Sequence, residues 1–358
     1  MGPQKAFFTL YLVVVVGALF ALFEFVSLRI NRSEGIDLPY LIRRGDSVET
    51  FRGGERFTAI DPHLGYGRGE NEPAVVVFRE RHVWRRGFAI YGDAPEGAPA
   101  RPLILTLGGS TTDPLNHETS WPEELAAMLV ERGLPGTVVN GAVGGYSTNQ
   151  ELLKLVRDGI ELAPDLVISY SAVNDRGAYG PLPHPMVHAY QRQILANLTQ
   201  SRLHRMLPNT VSLIQRWGGR DDDALGYSLG LETQRSLGEW YARNLSLMNA
   251  VARASGAEFL GVIQPNAYVG ADAGAGRFLA NGKSDEYVVA LRDFYAQIVD
   301  VPERLHYVHS FIDIFDGAQG VYSEDGVHTL RAGDRLIAQA MLSLIERETS
   351  LFAGSGDH

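Results

Sequence analysis

Cysteine is missing from all 358 residues. That absence excludes disulfide frameworks, thiolate metal centres and cysteine nucleophiles, and it leaves the redox compartment open. Basic residues are in deficit: 32 Lys and Arg stand against 42 Asp and Glu, a net charge of -10. The chain therefore has no electrostatic footprint for nucleic acid, and basic pairs such as Arg85-Arg86 are isolated. Low-complexity tracts and internal repeats are lacking too. A hydrophobic content of 45% is that of a globular chain, long enough for one large domain with an appendage or for two ordinary domains.

A further gap is local. No charged residue lies between Ala6 and Phe23, and apolar character continues past Glu24 to Leu28. A helix over residues 6–28 would span roughly 35 Å, enough to cross a bilayer core of about 30 Å. The segment is apolar on every face, unlike a core helix packed on one side. Lys5 ahead of the run would suit a secretory signal. The length of the run and the lack of a small-x-small cleavage site favour an uncleaved single-pass anchor. Arg29, Arg32, Arg43 and Arg44 follow the span, and counted alone they place the remaining chain in the cytoplasm.

Residues 29–100 read as a tether with irregular or short-stranded structure. Glycine and proline are frequent, as in "DPHLGYGRGENEP", and "AVVVF" is the best strand candidate. From Arg101 the pattern becomes alternating strands and helices. "LILTL", "TVVN", "DLVISYS", "EFLGVIQP" and "YVHSFIDIF" are strand-like runs. Helices are predicted from Ser120, from Ser147, along Leu237–Ala252, near 285–299 and from Ala332 to Glu346. Ser120/Glu123 and Ser147/Gln150 have capping-box spacing. This alternation argues for a parallel sheet covered on both faces. Residues 176–230 break the rhythm and read as an insertion in a domain spanning 101–347, with 348–358 a flexible tail.

In open α/β sheets functional groups gather at the carboxyl ends of strands. Those ends carry "GGSTT" (Gly108–Thr112), "NGAVGGYST" with Gly144 and Gly145, "SAVND" with Asn174 and Asp175, and "SEDGVHT" with Asp325 and His328. Serine, histidine and aspartate are the parts for nucleophilic acyl transfer. A serine hydroxyl attacks only when an imidazole takes its proton, and that imidazole needs an acceptor on its other nitrogen. Taken alone, "GGSTT" also fits a turn that caps the next helix. A phosphate loop is excluded, since the Gly-Lys-Ser/Thr ending is lacking. His184/His188 are separated by prolines unsuited to one helix, and His306/His309 on a strand would face opposite ways, so neither pair reads as a metal site.

With these four blocks in order, the sequence resembles the SGNH hydrolases, the GDSL-like esterases and lipases. The resemblance covers roughly residues 101–180 and 255–347. It implies a three-layer α/β/α flavodoxin-like domain with a parallel sheet. It also implies Ser110 as nucleophile, His328 as general base and Asp325 as its orienting partner. The oxyanion hole would be formed by the N–H groups of Ser110 and Gly145 with the Asn174 side chain, while Gly144 could serve only the turn. Two positions depart from the family pattern: Gly109 stands where the Gly-Asp-Ser block has aspartate, and Ala172 where the Gly-x-Asn-Asp block has glycine. Neither has a direct part in bond making.

The resemblance implies ester hydrolysis without metal or organic cofactor, on acyl or acetyl esters of glycans or lipids. Single-span members of this kind face the outside of the cytoplasmic membrane, a periplasmic placement against the arginine count. Two alternatives use the same residues: a glycan O-acyltransferase with the same triad, and a non-catalytic scaffold or glycan-binding component of an export assembly. Nothing in the pattern fixes an oligomeric state.

Overall fold

The computed structural model describes residues 3–33, 59–61, 64–67, 83–85, 87–92, 100–114, 119–176, 207–217, 236–270 and 283–352. Its elements, in chain order, are α1 (Pro3–Ser33), β1 (Ala59–Asp61), β2 (Gly65–Gly67), β3 (Val83–Arg85), β4 (Phe88–Tyr91), β5 (Leu103–Gly108), α2 (Trp121–Glu131), β6 (Thr137–Asn140), α3 (Thr148–Lys154), β7 (Leu166–Ser171), α4 (Pro208–Trp217), α5 (Leu237–Ala254), β8 (Glu258–Ile263), α6 (Asp285–Ile298), α7 (Val301–Arg304), β9 (Val308–Ser310) and α8 (Arg331–Glu348). They fall into two compact units. One comprises residues 1–56 and 189–232, the other residues 57–188 and 233–358.

The larger unit is built on a seven-stranded sheet of order β3-β4-β6-β5-β7-β8-β9. Strands β6 to β9 are parallel, and β3 and β4 run antiparallel at one edge. The alternation of side chains along a strand divides the core into two faces. On β5, Leu103, Leu105 and Leu107 join one cluster with Tyr241, Leu245 and Met248 of α5 and Phe294 of α6. Ile104 joins the other, with Trp121 and Leu125 of α2 and Ile337 and Met341 of α8. The result is an α/β fold with a mainly parallel sheet between two helical layers. Leu105 is fully buried, and truncating such a leucine to alanine costs about 2–5 kcal/mol.

Several local expectations change in the structure. The sheet begins upstream of Arg101, because β4 pairs with β6 through Ala89↔Asn140, Ile90↔Val139 and Tyr91↔Val138. The Ser120/Glu123 box does not close: Ser120 makes no side-chain cap, and its buried hydroxyl has no partner. Pro122 in the first turn, with its fixed φ and no N–H to satisfy, starts α2 instead. The Ser147/Gln150 box does form. The helix it starts gives way to a π turn over Leu155–Gly159 and a 3₁₀ turn over Ile160–Leu162. The run "YVHSFIDIF" is strand only at Val308–Ser310, so His306 precedes the strand and His309 lies on it. The expected tail is fixed at its start, where Ser350 donates from N and Oγ to Glu258 Oε1 at 2.9 and 2.8 Å. "AVVVF", His184 and His188 lie outside the described residues.

The smaller unit contains α1 and α4. Gln4–Ile30 is a 27-residue helical stretch long and apolar enough to cross a membrane, and its apolar centre is exposed. Its exposed side chains run from Phe7 to Val26, while Glu24 is partly covered and Ser27 is buried. Glu24 accepts four hydrogen bonds from the start of α4. Asn209 N and Nδ2 donate to Oε1 at 2.8 and 2.7 Å, and Thr210 N and Oγ1 donate to Oε2 at 3.0 and 2.9 Å. A carboxylate set against the free N–H groups and positive end of a helix is favourably placed.

Candidate active site

The site lies at the carboxyl end of β5. Two glycines end the strand, and the chain turns as Thr112 N and Asp113 N donate to Gly109 C=O at 3.1 and 3.0 Å. Ser110 is partly exposed, whereas Thr111, Thr112 and Asp113 are buried. Thr112 Oγ1 accepts from Trp121 Nε1 at 3.1 Å, and Asp113 Oδ2 accepts from Gly144 N at 2.6 Å. Of the three consecutive hydroxyls, only that of Ser110 is aimed at the site histidine.

The loop after β6 is stitched to β5 by backbone bonds, Gly141 N to Thr106 C=O (2.9 Å) and Val143 N to Gly108 C=O (3.2 Å). Asn140 reinforces it, donating from Nδ2 to Thr112 C=O and accepting Ala142 N at Oδ1. Gly145 has φ +86, a left-handed conformation that suits glycine. The loop after β7 carries Asn174, whose Nδ2 donates to Tyr146 C=O at 2.9 Å. A Cβ at Gly109 would sit 2.5 Å from that Nδ2 and 3.0 Å from Tyr146 O. Asn174 Nδ2 thus packs against Gly109, the residue before Ser110, and in this chain a side chain at 109 would have to displace it.

The fourth loop, ahead of α8, folds on itself through Ser323 N to His328 C=O (2.8 Å) and a bridge between Tyr322 and Thr329. Gly326 at φ +70 allows the tight turn. Asp325 Oδ1 accepts Ser323 Oγ (2.8 Å), Val327 N (3.0 Å) and His328 N (3.0 Å). Its Oδ2 lies 2.8 Å from His328 Nδ1, and His328 Nε2 lies 2.8 Å from Ser110 Oγ. With Nδ1–H donating to the carboxylate, Nε2 is the acceptor for the serine hydroxyl. Burial pushes the Asp325 carboxyl up. Hydrogen bonds from the His328 ring and from the His328 and Val327 amides outweigh it and hold the group well below the usual carboxylate range. Asp334 anchors the loop's exit, accepting Thr329 Oγ1 (2.6 Å) and Thr119 Oγ1 (3.2 Å).

Four loops separated by up to 218 residues thus bring Ser110, Asn174, Asp325 and His328 together, with Gly145 on the loop after β6. A model of the GDSL-like lipase/acylhydrolase family matches residues 104–341. The chain is a GDSL-like hydrolase. Members of this family are carboxylic ester hydrolases. Solved structures similar to this hydrolase include an esterase from a Pseudoalteromonas species (14% identity, 69% of this chain and 97% of that one, TM-score 0.39). They also include an acetylxylan esterase from Geobacillus stearothermophilus, solved as a catalytic mutant (13%, 68% and 94%, 0.40), and a GDSL-like lipase from Bacteroides thetaiotaomicron (13%, 69% and 88%, 0.39). No curated protein matches the chain.

Two polar residues near the site, Asp113 and Lys283, escaped the sequence reading, and Asp175 was singled out there without a role. Asp113 holds the glycine loop by its bond to Gly144 N. Asp175 accepts from Thr148 N at 3.0 Å and from Thr148 Oγ1, tying the Asn174 loop to α3. Lys283 reaches Asp325 Oδ2 at 3.0 Å. Asp175 and Thr148 lie far apart in the sequence, on the loop after β7 and at the start of α3, and no periodic signal marks Lys283. Behind Asn174 lies a buried polar cluster. Glu151 is fully buried and accepts Ser169 Oγ at 2.6 Å. Burial, less the relief from Ser169 and with repulsion from Asp175, pushes its carboxyl up to about 8, and burial pushes Asp175 up to about 7. Among the described residues no group of three or more His, Asp and Glu is placed to hold a metal ion.

Proposed function

We propose that this GDSL-like hydrolase is a membrane-tethered serine esterase acting on acyl or acetyl esters of glycans or lipids, with Ser110, His328 and Asp325 as its triad. The observation that carries the reading is the continuous array Ser110 Oγ–His328 Nε2 and His328 Nδ1–Asp325 Oδ2, each link 2.8 Å long. Ser110 Oγ attacks the ester carbonyl as its proton passes to Nε2. The N–H groups of Ser110 and Gly145 and the Asn174 amide hold the tetrahedral oxyanion. The imidazolium then protonates the leaving alcohol, and a water activated by His328 releases the acyl group. The site residues need no cofactor for these steps.

Residues 6–28 are the anchor, 29–100 the extension and 101–347 the hydrolase domain, with β3 and β4 completing the sheet edge. The Glu24 cap supports retention of the N-terminal helix, because cleavage after it would strip four hydrogen bonds from the start of α4. The resemblance to single-span members of the family supports a periplasmic placement facing envelope esters, against the arginine count. The test is active-site labelling by a fluorophosphonate together with turnover of p-nitrophenyl acetate. Wild type labels and turns over, and Ser110→Ala does neither. Equal labelling of the two sinks the assignment.

A further inference from the structure

Asp325 Oδ2 has two donors rather than one. His328 Nδ1 lies 2.8 Å away and Lys283 Nζ 3.0 Å, with side chains 30% exposed for both His328 and Lys283 and 19% for Asp325. The main chain ties the same two residues together. Lys283 N–H donates to Tyr268 Oη at 2.8 Å, and that hydroxyl donates to Asp325 C=O at 2.8 Å. The ammonium also sits 5.5 Å from the ring centroid of Tyr287 on α6. The guanidinium of Arg176, two residues past Asn174, stacks on that ring at 3.6 Å.

We propose that Lys283 is a positioning residue of the Ser110–His328–Asp325 array, its ammonium pinning Asp325 Oδ2 and weakening the carboxylate's hold on the imidazolium. The proposal rests on the triad reading above. A carboxylate oxygen shared with a permanent cation gives less stabilisation to a second cation forming on its other side. When Ser110 Oγ bonds to the acyl carbon, its proton moves to Nε2 and that second cation appears. Lys283 thereby disfavours that cation and favours return of the proton to the leaving alkoxide. Among the described residues, the charged and titratable groups around the pair include Asp325, its neighbour Glu324 and His328 on their own loop, Tyr268 beyond β8, and Arg292 of α6, which donates to Tyr268 C=O at 2.9 Å. Lys283 and Tyr287 approach from α6 and the residues before it, and Arg176 from the loop after β7. Arg176 acts in the same sense as Lys283, with the Tyr287 ring between.

The experiment is the pH profile of kcat/KM for p-nitrophenyl acetate in full-length wild type, Lys283→Met and Lys283→Arg. An ammonium about 6 Å from the imidazolium, at an effective dielectric of about 40–80, shifts the acid limb by about 0.5–1 pH unit. The limb therefore moves up by that amount in Lys283→Met and returns in Lys283→Arg. A limb that stays put in Lys283→Met, or moves equally in Lys283→Arg, overturns the proposal. Should Lys283→Met not fold, the pH dependence of fluorophosphonate labelling in Lys283→Gln reports the same limb, since the label counts only folded sites. Persistent labelling of Ser110→Ala would instead refute the triad itself, so the two failures are distinguishable.

Discussion

Replacing Glu151 by glutamine should abolish a pH-dependent loss of stability that wild type carries between about pH 4.5 and 8. In the folded chain the carboxyl is fully buried on α3, with one oxygen accepting Ser169 Oγ and the other without a partner. Its pKa rises from 4.5 to about 8, chiefly through burial. The folded state therefore binds more protons than the unfolded state throughout that window. Stability contributed by this group is fully present below about 4.5, falls as pH rises, and levels off above about 8. A rise of about 3.5 units corresponds to about 3–5 kcal/mol once coupling to Asp175, displaced in the same direction, is allowed for. Glutamine can keep a carbonyl acceptor for Ser169 and cannot ionise. Urea titrations followed by tryptophan fluorescence from pH 5 to 8.5 measure the difference. The stability of Glu151→Gln relative to wild type should climb steadily across the window. Asp325, displaced downward, is ionised in both states throughout this range and contributes a constant. A gap between the two proteins that does not change with pH would refute the reasoning.

Gly109→Ala should reduce kcat about 10- to 100-fold at near-constant fold stability, because its Cβ would press within 2.5 Å of Asn174 Nδ2 and move an oxyanion donor; single-turnover acylation rates check it, and an unchanged rate counts against Asn174 as a donor. Glu24→Ala should raise hydrogen exchange across residues 208–217 by about 5- to 30-fold, the effect of removing a cap worth about 1–2 kcal/mol. Unchanged exchange would mean that the start of α4 does not depend on the N-terminal helix.

The strands and most helices were legible because their patterns are set by burial on both sides of a sheet. "LILTL" and the "LVISYS" of "DLVISYS" are mostly apolar runs, and each becomes strand with every residue buried. What misled was local chemistry overridden by packing. Ser120 and Glu123 have capping spacing, yet Ser120 is wholly buried and leaves its hydroxyl unused. "YVHSFIDIF" stays apolar beyond the strand because Phe311 and Phe315 fill the α2–α8 core from turns, not from a ladder. The edge strands β3 and β4 are three and four residues long, too short for alternation to declare itself. Lys283 was invisible for another reason: an ion pair between a pre-helical residue and a turn leaves no periodic trace, and only the fold brings the two together.

Why the site was legible at all follows from the strand order. β5 lies between β6 and β7, and the chain leaves β5 to build one neighbour and then crosses to the other. The loops that follow β6 and β7 must therefore emerge on either side of Ser110, at the same end of the sheet, because all three strands are parallel. Topology brings the loops of Gly145 and Asn174 to the serine's end of the sheet, and local bonds such as Asp113 to Gly144 N and Asp175 to Thr148 N then set them. His328 arrives differently. It lies well past the end of β9, and its loop is held over the sheet by α8, by Asp334 gripping Thr329 and Thr119, and by the main-chain bond from Ala267 N to Gly326 C=O at 2.8 Å. The serine side of the site is thus fixed by the sheet and the histidine side by tertiary clamps. The bond between Ser110 and His328 is where those two independent supports meet, so changes to Asp334 should alter the approach of the imidazole while leaving the oxyanion donors in place.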